Sequence, residues 1–339
     1  MKLLATVLSA ALLVGAWAPV GAQAPTATPS PGDPYADTGA IPGSGAELTI
    51  GYLPPGADDP SAALVTQGIR EEAAAAGATL MECGVGHVPI DPVACARALA
   101  VSTVDGVLTG QPDPDLAGAV CAALGDRPTV AIEVPQPPCQ KTFVSTDDRA
   151  AGRLAGQLVG AALLAERTCR YDRILAVAPA GLAEVGGQRL EGLLQGFASV
   201  CGPIPDASLS TLRPTTADGL AGSDAATLLA AVPPDGIAVV LAADDPIALD
   251  ALAVAQAAGR GQAVRIGALG ADPIAWPHIA CDPVWIGDAG LFPERVGRTV
   301  VPAVIDLVNG QDVPPVISLP TAVVDAQTIR SFYPDVPAC

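Results

Sequence analysis

From Glu47 onward, short apolar runs alternate with longer stretches whose apolar side chains recur at helical spacing. The clearest run is Ile237-Ala238-Val239-Val240-Leu241-Ala242-Ala243. A parallel strand buried on both faces has this unbroken apolar character. Asp244 and Asp245 end it, Pro246 follows, and helical spacing continues to Ala258, before Gly259-Arg260-Gly261. This predicts a strand feeding a helix, with Asp244 or Asp245 as N-cap and Pro246 in the first turn. In an open α/β sheet, ligands sit in the crevice at the carboxyl ends of the strands. The two aspartates therefore fall where function is expected, although one of them can serve the helix alone.

The same rhythm runs through the chain. Strands are predicted at 48–53, 78–82, 104–108 and 128–132, with helices at 59–75, from Asp91-Pro92, and at 113–124. Asp-Pro pairs open these helices, and Gly77 and Gly125 close two of them. A second round starts after Phe143-Val144-Ser145. A helix follows Asp147-Asp148, then a strand at 174–177 and a helix at 182–200 with the stripe Leu190, Leu193, Leu194 and Phe197. A weaker strand and helix occupy 206–233. Further strands lie at 265–269 and 284–287, and a long helix ends at Val308 before Asn309-Gly310. Strands alternating with helices predict α/β architecture with parallel sheets. Two rounds of the pattern predict two similar lobes.

The ends add a destination. Lys2, an apolar run to Val20 and then Ala22-Gln23-Ala24 read as a secretory signal peptide cleaved near Ala24. No later apolar run is long enough to span a bilayer, so the mature chain is expected to be periplasmic or secreted. Residues 25–46, rich in Pro, Thr, Ser and Gly, read as a disordered linker. The remaining length of about 315 residues exceeds what one core usually supports, which again favours two domains.

Eight cysteines follow the signal, an even number that favours disulfides in an exported chain. Neighbours along the chain suggest Cys83 with Cys95, Cys121 with Cys139, Cys169 with Cys201, and Cys281 with Cys339. There is no CxxC pair, and His87 and His278 are the only histidines, so zinc and thiol catalysis have little support. The formal charge of −18 becomes −19 once Lys2 leaves with the signal, which disfavours nucleic acid and anionic lipid as partners. Neither GxSxG nor HExxH occurs, and no cofactor is expected. Asp147 and Asp148, adjacent on one helical turn, point apart rather than across a scissile bond, which leaves a hydrolase as a minor alternative.

Three phrases carry a family resemblance over roughly 48–339. Phe143-Val144-Ser145-Thr146-Asp147-Asp148-Arg149-Ala150-Ala151-Gly152 resembles the "fV-x-[ST]-D-N-x-x-x-G" of ribose-type (type I) periplasmic sugar-binding proteins. Leu241-Ala242-Ala243-Asp244-Asp245-Pro246-Ile247-Ala248-Leu249 resembles their "a-x-N-D-x-m-A-l". Pro293-Glu294-Arg295-Val296-Gly297, with Leu307-Val308-Asn309-Gly310, resembles their closing "P-x-x-x-G…l-l-n-G". The resemblance implies two Rossmann-like lobes joined by three crossovers, with a solute clamped between them. The first lobe would be 47–146 with 291–318, the second 147–290 with 319–339. Each proposed disulfide then stays within one lobe, leaving the hinge free to close.

The resemblance also implies a site. The family's Asp-Arg pair after the fourth strand falls on Glu133-Val134, its asparagines fall on Asp148 and Asp244, and a family arginine falls on Arg189. Its aromatic platform after the first strand is replaced by Ser61-Ala62-Ala63, and a Phe-Asp pair by Ala268-Leu269. The expected ligand set is Glu133, Asp148, Arg189 and Asp244, which suits a sugar or polyol and also a cationic solute. Alternatively, Arg189 pairs with Glu184 or Glu191 on its own helix. Trp276 and Trp285 either supply a stacking face or pack in the core. The implied partners are a small solute and the permease of an ABC importer, with the chain a monomer. A sensor, or a binding fold with a degenerate pocket, is the alternative.

Overall fold

The computed structural model describes residues 37–55, 60–83, 91–180, 183–214 and 219–339. The expected signal peptide, the first part of the expected linker, Asp59, His87 and Leu182 lie outside the described residues.

Along the first half run β1 (Thr49–Leu53), α1 (Pro60–Ala76), β2 (Thr79–Glu82), α2 (Pro92–Val101), β3 (Gly106–Thr109), α3 (Ala117–Leu124), β4 (Thr129–Ile132) and β5 (Gln140–Thr146). The chain continues with α4 (Asp148–Arg167), β6 (Arg173–Val177), α5 (Ala183–Cys201), β7 (Leu209–Leu212), α6 (Ala225–Ala230), β8 (Ala238–Ala242), α7 (Asp245–Ala257), β9 (Val264–Gly270), α8 (Trp276–Cys281) and β10 (Trp285–Gly290). It ends with α9 (Gly297–Val308), β11 (Val316–Leu319), β12 (Ala322–Val324) and α10 (Ile329–Phe332).

These elements form two six-stranded sheets, ordered β11-β5-β4-β3-β1-β2 and β12-β10-β9-β8-β6-β7. Only β12, antiparallel to β10, departs from parallel pairing. Every residue of β3, β4 and β8 is buried, because helices cover both faces of each sheet. In the first lobe, residues of α1 and α9 pack one face and residues of α2 and α3 the other. In the second, α7 and the tail cover one face and α4 and α5 the opposite one.

The helix starts follow their local chemistry. Asp91 caps α2 by accepting from Val93 N and Ala94 N, Asp147 caps α4 through Ala150 N, and Asp244 caps α7 through Ile247 N at 2.9 Å. Of the two aspartates after β8, Asp244 is thus the cap, and Asp245 is wholly buried. Segment 113–124 begins as a 3-10 turn, Pro114–Leu116, and becomes α-helical only at Ala117. All four cysteine pairs form as neighbours along the chain, each joining elements of one sheet's lobe.

The linker expectation needs correcting for 37–46. Asp37 pairs with Arg298 at 3.0 Å, Gly39 N donates to Arg298 O at 3.1 Å, and Ala40 N donates to Glu72. Ala40 also packs against the first lobe's core. Its Pro, Thr, Ser and Gly content predicted a free segment, but these backbone and charge contacts tie it to α1 and α9.

Helices α4 and α5 meet backbone to backbone. A Cβ on Gly152 or Gly156 would stand 2.2 or 2.1 Å from the carbonyl oxygen of Arg189 or Leu193. On the facing helix, Gly192 and Gly196 would strike Arg149 O and Arg153 O at 2.2 and 2.1 Å. Glycine is required on both sides, and this close approach fixes α5 against the start of α4.

Beneath the carboxyl end of the second sheet lie two fully buried acids, Asp245 and Asp288. Trp285 Nε1 donates to Asp288 Oδ1 at 2.8 Å, and Asp272 N donates to Asp245 Oδ2 at 2.6 Å. The two carboxyls face one another, and Asp245 Oδ1 and Asp288 Oδ2 have no donor, which one proton shared between them would satisfy. Burial raises both carboxyls, Asp245 far above the ordinary range, where the Asp288 charge adds to the effect. A raised acid favours folding fully below its unfolded value, roughly pH 4, and loses that contribution as pH climbs through the folded value. Asp288→Asn, which keeps an acceptor for Trp285, is therefore expected to flatten the fall in thermal midpoint between pH 5 and pH 8. Parallel curves for wild type and variant would contradict the shared proton.

Candidate functional site

The three connections between lobes run from β5 to α4, from β10 toward α9, and from β11 to β12. Because β11 lies parallel to β5 and β12 antiparallel to β10, all three leave or enter at carboxyl strand ends. Those ends of the two sheets therefore border one cleft. Glu133 follows β4 on one side, and Asp148, Arg189 and Asp244 stand on the other.

Arg189 is the hub. Its Nε donates to Asp148 Oδ1 at 2.7 Å and its Nη1 to Ala243 O at 3.1 Å. The side chains are 14% and 11% exposed, so the pair is desolvated enough to be held firmly. The expected alternative, Arg189 with Glu184 or Glu191, does not form. Arg149 takes Glu191 instead, at 2.5 Å on the surface. The glycine contact explains the difference, since it brings the first turn of α4 beside Arg189.

Glu133 is held in the left-handed region at φ 58°. Such strain in a non-glycine residue costs about 1–3 kcal/mol and concentrates at functional positions. Its N–H donates to Val144 O at 2.9 Å, and its Oε1 accepts from Thr146 N and Oγ1, both at 3.3 Å. Glu133 as a residue is exposed at the cleft. Desolvation by the surrounding protein, and then the Asp148 charge, push the carboxyl up to about 7; Arg189 and Thr146 act in the opposite direction. Asp244 is also raised by burial, against its bond from Ile247 and the charge of Arg189. The structure thus brings all four expected residues into one electrostatic cluster.

The tryptophans are not part of it. Trp285 is 2% exposed and spends its N–H on Asp288, and Trp276 donates to Ala271 O while stacking on Tyr333 at 4.3 Å. Tyr333 belongs to an aromatic strap at the second connection. Phe292, at φ 51°, packs on Phe332 at 5.0 Å, and the Arg295 guanidinium lies 4.7 Å from the Phe292 ring centre. Core and hinge packing is therefore what these rings do. Sequence reading also passed over Thr146 as Glu133's partner, although it stands inside the first family phrase.

Two doubly covered parallel sheets, three crossovers and polar residues at the facing strand ends define a two-lobed binding fold. The profile of the family described as "Periplasmic binding protein domain" matches residues 50–312, and the chain belongs to that family. No curated protein matches it in sequence. Among solved structures, an ABC transporter periplasmic solute-binding protein from Actinobacillus succinogenes with bound D-allose superposes with TM-score 0.67 at 17% identity, covering 84% of this chain and 100% of that one. An ABC transporter solute-binding protein from Mycobacterium smegmatis with bound glycerol gives 0.65 at 20%, covering 87% and 98%. The periplasmic binding component of the arabinose ABC transporter from a Shewanella species gives 0.64 at 19%, covering 85% and 95%. Among the described residues, no helix is long and apolar enough to cross a membrane, and no group of acids, histidines and cysteines is placed to hold a metal.

Proposed function

We propose that this chain is an exported solute-binding protein that captures a small sugar or polyol in the interlobe cleft and, as a monomer, delivers it to the permease of an ABC importer. One observation carries the reading. Glu133 from one lobe and the Asp148–Arg189 pair with Asp244 from the other converge at the crossovers, so a solute bonding to both sides favours closure. Carboxylates and a guanidinium at a cleft can each bond two neighbouring hydroxyls, which fits a polyhydroxy solute. The proteins of similar fold that hold D-allose and glycerol support the same class. The chain acts by binding rather than catalysis, and Glu133, Asp148, Arg189 and Asp244 are the proposed ligand residues.

Thermal unfolding of the mature, oxidised protein against pentoses, hexoses and polyols tests this. A ligand at a hundred times its Kd adds about 2.7 kcal/mol, a shift of a few degrees at this size. The shift is expected to vanish in Asp244→Ala. Absence of any shift across the panel would leave the fold standing and remove the import reading.

A further inference from the structure

We propose that the cleft selects a solute carrying a protonated amine beside its hydroxyls, with the ammonium bridging Glu133 of one lobe and Asp244 of the other. This rests on the cleft being the binding site, and it narrows the solute class. The reason is charge. The site holds three carboxylates and one guanidinium, and that guanidinium is committed to Asp148 at 2.7 Å and to Ala243 O. Among the described residues, neither Glu133 nor Asp244 enters an ion pair with a lysine, arginine or histidine.

Their hydrogen bonds are sparse as well. Glu133 accepts only long bonds from Thr146, and Asp244 accepts one backbone N–H as a helix cap. Two acids that face the Arg189 charge but have no ion-pair partner of their own leave negative charge that an ammonium offsets and a neutral hydroxyl does not. Three substitutions relative to the ribose-type pattern add negative character, since an arginine position holds Val134 and two asparagine positions hold Asp148 and Asp244, while one, Leu269 at an aspartate position, removes an acid. The described cleft residues also include no aromatic platform for a sugar's apolar face, because Trp276 and Trp285 are engaged in packing.

Protonation supplies an independent readout. Desolvation raises the Glu133 carboxyl most; of the charges facing it Asp148 adds to the rise and Arg189 lowers it, as does Thr146 as hydrogen-bond donor, and the net result is about 7. Glu133 thus gains charge as pH rises through the neutral range. An ammonium should therefore bind more tightly at pH 8 than at pH 6 and displace a proton on binding.

The experiment is titration calorimetry on the full mature chain with amino sugars and amino polyols, glucosamine and glucamine among them, each beside its neutral parent. Glucamine, whose amine stays protonated throughout, serves for the pH series, run in two buffers of different ionisation enthalpy. The expected result is an amine at least tenfold tighter than its parent, proton release near pH 7, and an amine-to-parent ratio that falls about tenfold in Glu133→Gln and in Asp244→Asn. A neutral parent that binds as tightly as its amine would overturn the amine preference and leave the sugar-binding reading intact. Binding of neither class would overturn both.

Discussion

Arg189→Ala is expected to abolish solute binding, by at least a hundredfold, and to destabilise the second lobe. The guanidinium joins α5 to the first turn of α4 through Asp148 and to the end of β8 through Ala243 O. Its removal leaves Asp148, 11% exposed, facing Glu133 without its cation. Breaking a buried pair by deleting one partner costs about 3–5 kcal/mol, and the residual exposure here places the expectation near the lower end. Arg149→Ala is the matched control. Its pair with Glu191 is about half exposed on both sides, so a loss of about 0–1 kcal/mol is expected. Urea unfolding read beside solute titration separates the effects. Equal losses in the two variants would mean that Arg189 is an ordinary surface residue.

Gly192→Ala is the second large effect. The new methyl carbon would stand 2.2 Å from Arg149 O, and that neighbour is backbone that cannot rotate away. Helices α4 and α5 must separate, at a cost of about 1–3 kcal/mol or more, and Arg189 moves with them three residues earlier on α5. Thermal midpoint and solute affinity should fall together, by several degrees and by tenfold or more. Gly118→Ala in α3 meets open space and is expected to be neutral or slightly stabilising. If Gly192→Ala matched Gly118→Ala, the close helix contact would be wrong.

Both effects lie in contacts that no local pattern announces. Leu190, Leu193, Leu194 and Phe197 marked the apolar face of α5, but the facing glycines read as weak helix formers until α4 was laid beside them. Strand β11 was similarly hidden. It is four residues with two exposed side chains, and it exists because Val316 to Leu319 pair with β5, far back in the sequence. The buried Asp245 could equally have been the helix cap, until Asp272 N after β9 and Asp288 from β10, itself held by Trp285, were brought beside it.

The sequence by itself determined the alternation of strand and helix, the Asp-Pro starts and glycine stops and the two-lobed class, and it suggested the pairing of neighbouring cysteines that the tertiary structure decided. These depend on conformational preferences and on apolar periodicity, which act over a few residues and can be read locally. It also named four polar positions, because they match ligand positions of the family it resembles. Only the tertiary structure decided which of them touch, that Arg189 belongs to Asp148 rather than to its own helix, that the tryptophans pack in the second lobe, and that 37–46 lies on the first lobe. Desolvation, charge coupling and backbone contact depend on distances through space, and the chain sets those only after both sheets have formed and the three crossovers have brought their ends together.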